Sequence, residues 1–148
     1  MTRLQALLAG DIKPGLYRFD AHVALDELCR QINEASWVCF CIEGHAVSTR
    51  AAFLNAFAAA LHFPAYFGHN WDAFEECLMD LPPATFAGKK GIIILYQDAG
   101  NFIKAEPKEW ATAHGIFTNV ITAWHKSGTS MLVLLHGNSD ETSRVRNI

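Results

Sequence analysis

Residues 63–81 read FPAYFGHNWDAFEECLMDL, and the reading of this stretch decides how the rest of the chain is placed. On a helix turning about 100° per residue, Asp72, Glu76 and Asp80 fall at i, i+4 and i+8 with Glu75 beside them. Phe74, Cys77, Leu78 and Leu81 fall on the opposite side. The spacing predicts a helix with one buried face and one ridge of carboxylates. Its start is specified by Asn70, a good N-cap, and by Asp72, which the helix dipole favours in the first turn. Gly68 is expected to take the positive φ of the turn before it. Pro64, Tyr66, Phe67 and Trp71 bring aromatic side chains beside the first carboxylate, and Pro82 with Pro83 stops the helix.

The acidity is local. No Lys or Arg occurs between Arg50 and Lys89, so this segment carries −4 while the whole chain carries −3. Like charges at i, i+4 oppose one another by a few tenths of a kcal/mol per pair, and nothing in the segment offsets them. Cations from outside the helix are therefore expected, and aromatics beside desolvatable charge are the makings of a protein-binding hot spot. The plainer alternative is that an acidic amphipathic helix is a solvated outer face.

Outward from the ridge, WVCFCI at residues 37–42 reads as a strand buried on both faces. Ser48 is expected to cap an alanine-rich helix through Phe53, Phe57 and Leu61. GIIILY at 91–96 is a second buried strand, and residues 97–106 read as a loop with one helical turn. Pro107 opens a helix with Trp110, Ala113, Phe117, Val120, Ile121 and Trp124 on one side, closed by Gly128. MLVLL at 131–135 is the third strand. Strands separated by helices imply an α/β fold, a small three-stranded parallel sheet packed with helices. Residues 15–19 offer one extra N-terminal edge strand, followed by a helix that Asp20 would cap.

At 148 residues the chain is expected to be one domain over residues 1–137, with 1–35 an extension packed on a core at 36–137 and 138–148 a frayed polar tail. A net charge of −3 and a pI near 6.1 argue against nucleic acid and membrane surfaces as partners. No apolar run approaches a membrane span, and the start is interrupted by Asp11, Lys13 and Pro14, so a cytoplasmic protein is expected. Cys29, Cys39, Cys41 and Cys77 sit in apolar patterns and read as reduced core thiols; Cys39 and Cys41, two apart on a strand, form no metal knuckle. No phosphate-binding loop, nucleophile elbow or dinucleotide motif occurs, and no cofactor, metal or small-molecule substrate is expected. The competing enzyme reading is a small hydrolase or metal-dependent site at His69, Asp72 and Glu76, which requires a concave pocket where the binding reading requires an exposed ridge.

Pro64, Tyr66, Phe67, Gly68, Asn70, Asp72, Glu76, Cys77 and Leu78 together resemble the signature of barstar-type ribonuclease inhibitors, and the flanking elements agree in order over residues 36–137. The resemblance implies a barstar-like fold and no catalysis. It implies an intracellular inhibitor that blocks the cationic active site of a basic ribonuclease in a 1:1 complex. By resemblance, Glu76 enters the phosphate site, Asp72 is a second anchor, Tyr66 and Phe67 pack on the rim, and Asn70 meets partner backbone. Trp71, Ala73, Glu75, Met79 and Asp80 widen the contact. This chain has Glu76 where barstar has Asp, and Ala123 on the later helix where barstar offers a further acid. An interaction module for a toxin or regulator other than a ribonuclease would use the same ridge.

Overall fold

The computed structural model describes residues 2–19 and 23–137. Its strands are Gly15–Arg18 (β1), Val38–Glu43 (β2), Gly91–Gln97 (β3) and Ser130–His136 (β4). Its α-helices are Arg3–Ala9 (α1), Leu25–Glu34 (α2), Arg50–Ala60 (α3), Trp71–Met79 (α4), Gly100–Ala105 (α5) and Pro107–Lys126 (α6). All strand pairs are parallel, in the order β1-β4-β3-β2. The α/β class and the parallel sheet are as expected, but the sheet has four strands rather than three, because the extra edge strand forms and pairs Gly15 with Leu132 through Arg18 with Leu135.

The central strands β3 and β4 alternate between two cores, as a period of two requires. Ile92, Ile94, Tyr96, Met131, Val133 and Leu135 face the larger core with residues of α3, α4, α5 and α6. Ile93, Leu95, Leu132 and Leu134 face a smaller one with Leu7 of α1 and Leu28 and Ile32 of α2. Residues before β2 thus cover the second face of the sheet. The larger core is built on rings: Phe53 and Phe57 stack at 4.4 Å, and Phe74 meets each edge-on at 5.4 Å.

Several local expectations are corrected. β2 is not buried on both faces; it is an edge strand in which Ile42 alone is fully buried, because one side of its ladder has no neighbour. The cap of α3 is Thr49, whose hydroxyl accepts from the Ala52 N–H at 3.1 Å, rather than Ser48. The positive φ before α4 falls on His69, at 50°, and not on Gly68. Helix α1 was not anticipated, although Thr2 and Gln5 form a reciprocal capping box. Asp20 and residues 138–148 lie outside the described residues; α2 begins with no side-chain cap from Ala24.

The cysteines also depart from the expectation of reduced thiols. Cys29 of α2 and Cys41 of β2 form a disulfide, beside the free thiol of Cys39, which burial pushes up to about 12. Sequence spacing did not show that α2 lies across β2. Among the described residues, no helix is long and apolar enough to cross a membrane.

Candidate functional site

Helix α4 forms where the sequence places it, and local chemistry explains its entry. The Asn70 side-chain oxygen accepts from the Ala73 N–H at 2.8 Å, and its amide donates to the Gly68 carbonyl at 3.2 Å. Asn70 is exposed, yet both ends of its side chain are engaged in the turn. Phe74, Leu78 and Leu81 are buried, Cys77 is half-buried, and Asp72, Glu76 and Asp80 are exposed, so the two faces separate as the spacing requires.

The helix is braced from α6. The Trp71 indole donates to Glu109 at 2.7 Å, Asn119 donates to the Glu75 carboxylate at 3.3 Å, and the Trp124 indole donates to the Leu78 carbonyl at 3.0 Å. These contacts fix α4 and leave Trp71, Ala73 and Glu75 half-buried. Phe67 is 6% exposed and packs on Phe63 and His69, so it supports the turn and is not offered at the surface. Tyr66 is the opposite case, 80% exposed, and Met79 at the far end of the ridge is 41% exposed.

The exposed set is thus Tyr66, Asn70, Asp72, Glu76, Met79 and Asp80. Among the described residues, no Lys or Arg pairs with Asp72, Glu76 or Asp80; the ion pairs there join Arg30 to Glu27 and Glu34. Asp80 is the C-cap of α4, where the helix dipole opposes negative charge. Beside the ridge, a cleft of about 150 Å³ has Leu61, Pro64, Tyr66, Glu76, Cys77 and Asp80 in its lining. Burial first, then the Glu76 and Asp80 carboxylates, push the Cys77 thiol up and away from nucleophilic use.

His69, Asp72 and Glu76 do not converge as metal ligands among the described residues, and the cleft beside the ridge is lined by Glu76 but not by His69 or Asp72. The group that does converge lies away from this helix, Cys29, Cys39 and Cys41, with sulfurs within 4.8 Å of one another. Sequence reading missed it because its members belong to two elements.

A family model described as Barstar (barnase inhibitor) matches residues 37–136. No curated protein matches the chain. Among solved structures, Cdc6p from Pyrobaculum aerophilum is similar with a TM-score of 0.60 at 18% identity, covering 97% of this chain and 39% of that one. A chain of Drosophila ORC bound to DNA is similar with a TM-score of 0.54 at 16% identity, covering 88% of this chain and 35% of that one. The chain therefore spans well under half the length of either, and at such identities both likenesses concern the fold alone. Neither is to a barstar structure.

Proposed function

Because the chain belongs to the Barstar family, whose members are inhibitors rather than enzymes, we propose that it binds a basic ribonuclease 1:1 and blocks its active site with the exposed face of α4 in a barstar-like arrangement. The observation that carries this reading is a helix braced by hydrogen bonds from α6 and presenting three carboxylates that no Lys or Arg of the chain offsets among the described residues. A ribonuclease cleft holds cations placed for phosphate, and carboxylates on a fixed helix occupy such positions through charge-assisted hydrogen bonds.

Glu76, midway along the ridge, is the carboxylate that enters the phosphate site; Asp72, one turn earlier, engages flanking cations, and Asp80 one turn later extends the field. Tyr66 supplies the aromatic contact. The cleft between Tyr66 and Glu76 takes a long side chain of the partner, whose stem meets Leu61 and whose cationic end meets Glu76 and Asp80. Asn70 and Phe67 serve by shaping the turn, while Trp71, Ala73 and Glu75 lie at the edge of the contact. The acidic field also steers a basic partner into encounter, with an on-rate that falls as salt rises.

The test is calorimetry of the protein against a panel of small basic microbial ribonucleases at two salt concentrations. Tight, salt-sensitive 1:1 binding is expected, weakened by roughly thirtyfold or more in both Asp72→Ala and Glu76→Ala, as for hot-spot residues. Wild-type-like binding by both variants would show that another surface is used. Absence of binding across the panel would refute a ribonuclease target.

A further inference from the structure

The cysteine cluster lies on the other face of the sheet from α4. Cys39 and Cys41 stand two apart on β2, opposite Ile93 and Leu95, and so point to the same side. Helix α2 crosses that side and brings Cys29 down onto them. Cys29 Sγ lies 3.0 Å from Cys39 Sγ, Cys39 Sγ lies 3.7 Å from Cys41 Sγ, and Cys29 and Cys41 are bonded. A disulfide needs two sulfurs; here three meet at one point, all of them half-buried. Cys29 precedes the part of the chain matched by the family model, so the cluster is not a property of that match.

Three thiolates are a donor set for a soft cation. Zn(II) binds thiolate at about 2.3 Å, which holds three sulfurs roughly 4 Å apart around one ion. The sulfurs here are within 4.8 Å of one another, so moving from the disulfide arrangement to the metal arrangement asks for shifts of about an ångström in side chains. No carboxylate is among the converging donors, and the three sulfurs favour a thiophilic ion over Mg(II) or Ca(II).

We propose that the reduced protein binds one thiophilic divalent cation, of the Zn(II) or Cd(II) kind, through Cys29, Cys39 and Cys41. Reduction of the Cys29–Cys41 disulfide takes two electrons and two protons: two thiols supply both and leave as their disulfide, or a phosphine supplies the electrons and leaves as its oxide while water supplies the protons and the oxygen. The three thiols then release three protons as the three metal–sulfur bonds form, so the complex has one more negative charge than the reduced apoprotein. The ion ties α2 to the edge strand β2 and so fastens the N-terminal cover of the sheet. The disulfide form, with two sulfurs consumed, does not bind the ion.

The experiment uses the full chain, reduced with a phosphine, desalted without oxygen and titrated with Cd(II) while sulfur-to-cadmium charge-transfer absorption is followed in the ultraviolet. Saturation at one equivalent is expected, with Cd(II) displacing Zn(II) from the preloaded protein and with no such band in the disulfide form. Cys29→Ser, Cys39→Ser and Cys41→Ser, each shown folded by circular dichroism, are expected to weaken binding at least about tenfold, whereas Cys77→Ser leaves it unchanged. Absence of the band in the reduced wild type, which depends on no variant, overturns the proposal. So does equal loss in Cys77→Ser, or a stoichiometry unaffected by the three substitutions.

Discussion

Helices α2 and α4 lie on opposite faces of one sheet and handle negative charge in opposite ways. Helix α2 carries Asp26, Glu27 and Glu34, and places Arg30 between the last two, where its guanidinium reaches both carboxylates. Glu27 is held down to about 2, first by its hydrogen bond from Arg30 and then by that from Gln31. Helix α4 carries Asp72, Glu75 and Glu76 with Asp80 at its C-cap, and no cation. Propensity gains nothing from that arrangement. The charges of α2 are offset within the helix, whereas those of α4 are left open to solvent, which is the arrangement the proposed binding role requires.

The largest effect expected from breaking this contrast is on the platform rather than on the charges. Phe74 is fully buried against Phe53, Phe57 and Phe117, so Phe74→Ala should cost about 3–5 kcal/mol in a urea titration and weaken the ribonuclease complex with it. The matching change on the other face, Leu28→Ala, should cost about 2–5 kcal/mol yet leave the affinity of the folded fraction unchanged, since Leu28 packs only beneath α2. If Leu28→Ala weakens the complex as Phe74→Ala does, the two faces are not functionally distinct.

A smaller change separates stability from function on α4 itself. Asp80→Asn removes a charge that the dipole disfavours and should raise stability by about 0.5 kcal/mol, while slowing association with the ribonuclease at low salt. A variant less stable than wild type would mean that Asp80 holds the helix end by a contact other than its charge. Tyr96→Phe tests the core between them: its hydroxyl is buried without a hydrogen-bond partner among the described residues, so removal should be neutral or stabilising by about 1 kcal/mol by thermal unfolding. Smallest of all should be Arg30→Gln, which leaves α2 as uncompensated as α4. Both partners are exposed, and only a slight, salt-dependent fall in melting temperature is expected, with no effect on ribonuclease binding.

Much of the larger face was legible. The i, i+4 spacing of Asp72, Glu76 and Asp80 against Phe74 and Leu78, and Asn70 at the cap, specify α4 within a dozen residues, because helix periodicity and capping act over one or two turns. The apolar runs in β3 and β4 were equally plain, since strands buried on both faces leave no alternation to misread. The candidate site was legible in its acids and in Tyr66, and misleading in Phe67. Of the adjacent aromatics in this turn Tyr66 is exposed and Phe67 buried, and the sequence does not say which one the core takes.

The amino-acid sequence by itself determined the acidic helix, its cap and its missing cations, which are consequences of contacts between near neighbours, and the alternation of strands and helices that implies a parallel α/β order. The tertiary structure alone decided that Gly15–Arg18 closes the sheet beside β4, that residues before β2 cover its second face, that Phe67 turns inward, and that Cys29 meets Cys39 and Cys41. Each of these depends on two segments finding each other across the fold. Such pairings are selected by the burial of the whole core and leave only faint marks on the local pattern.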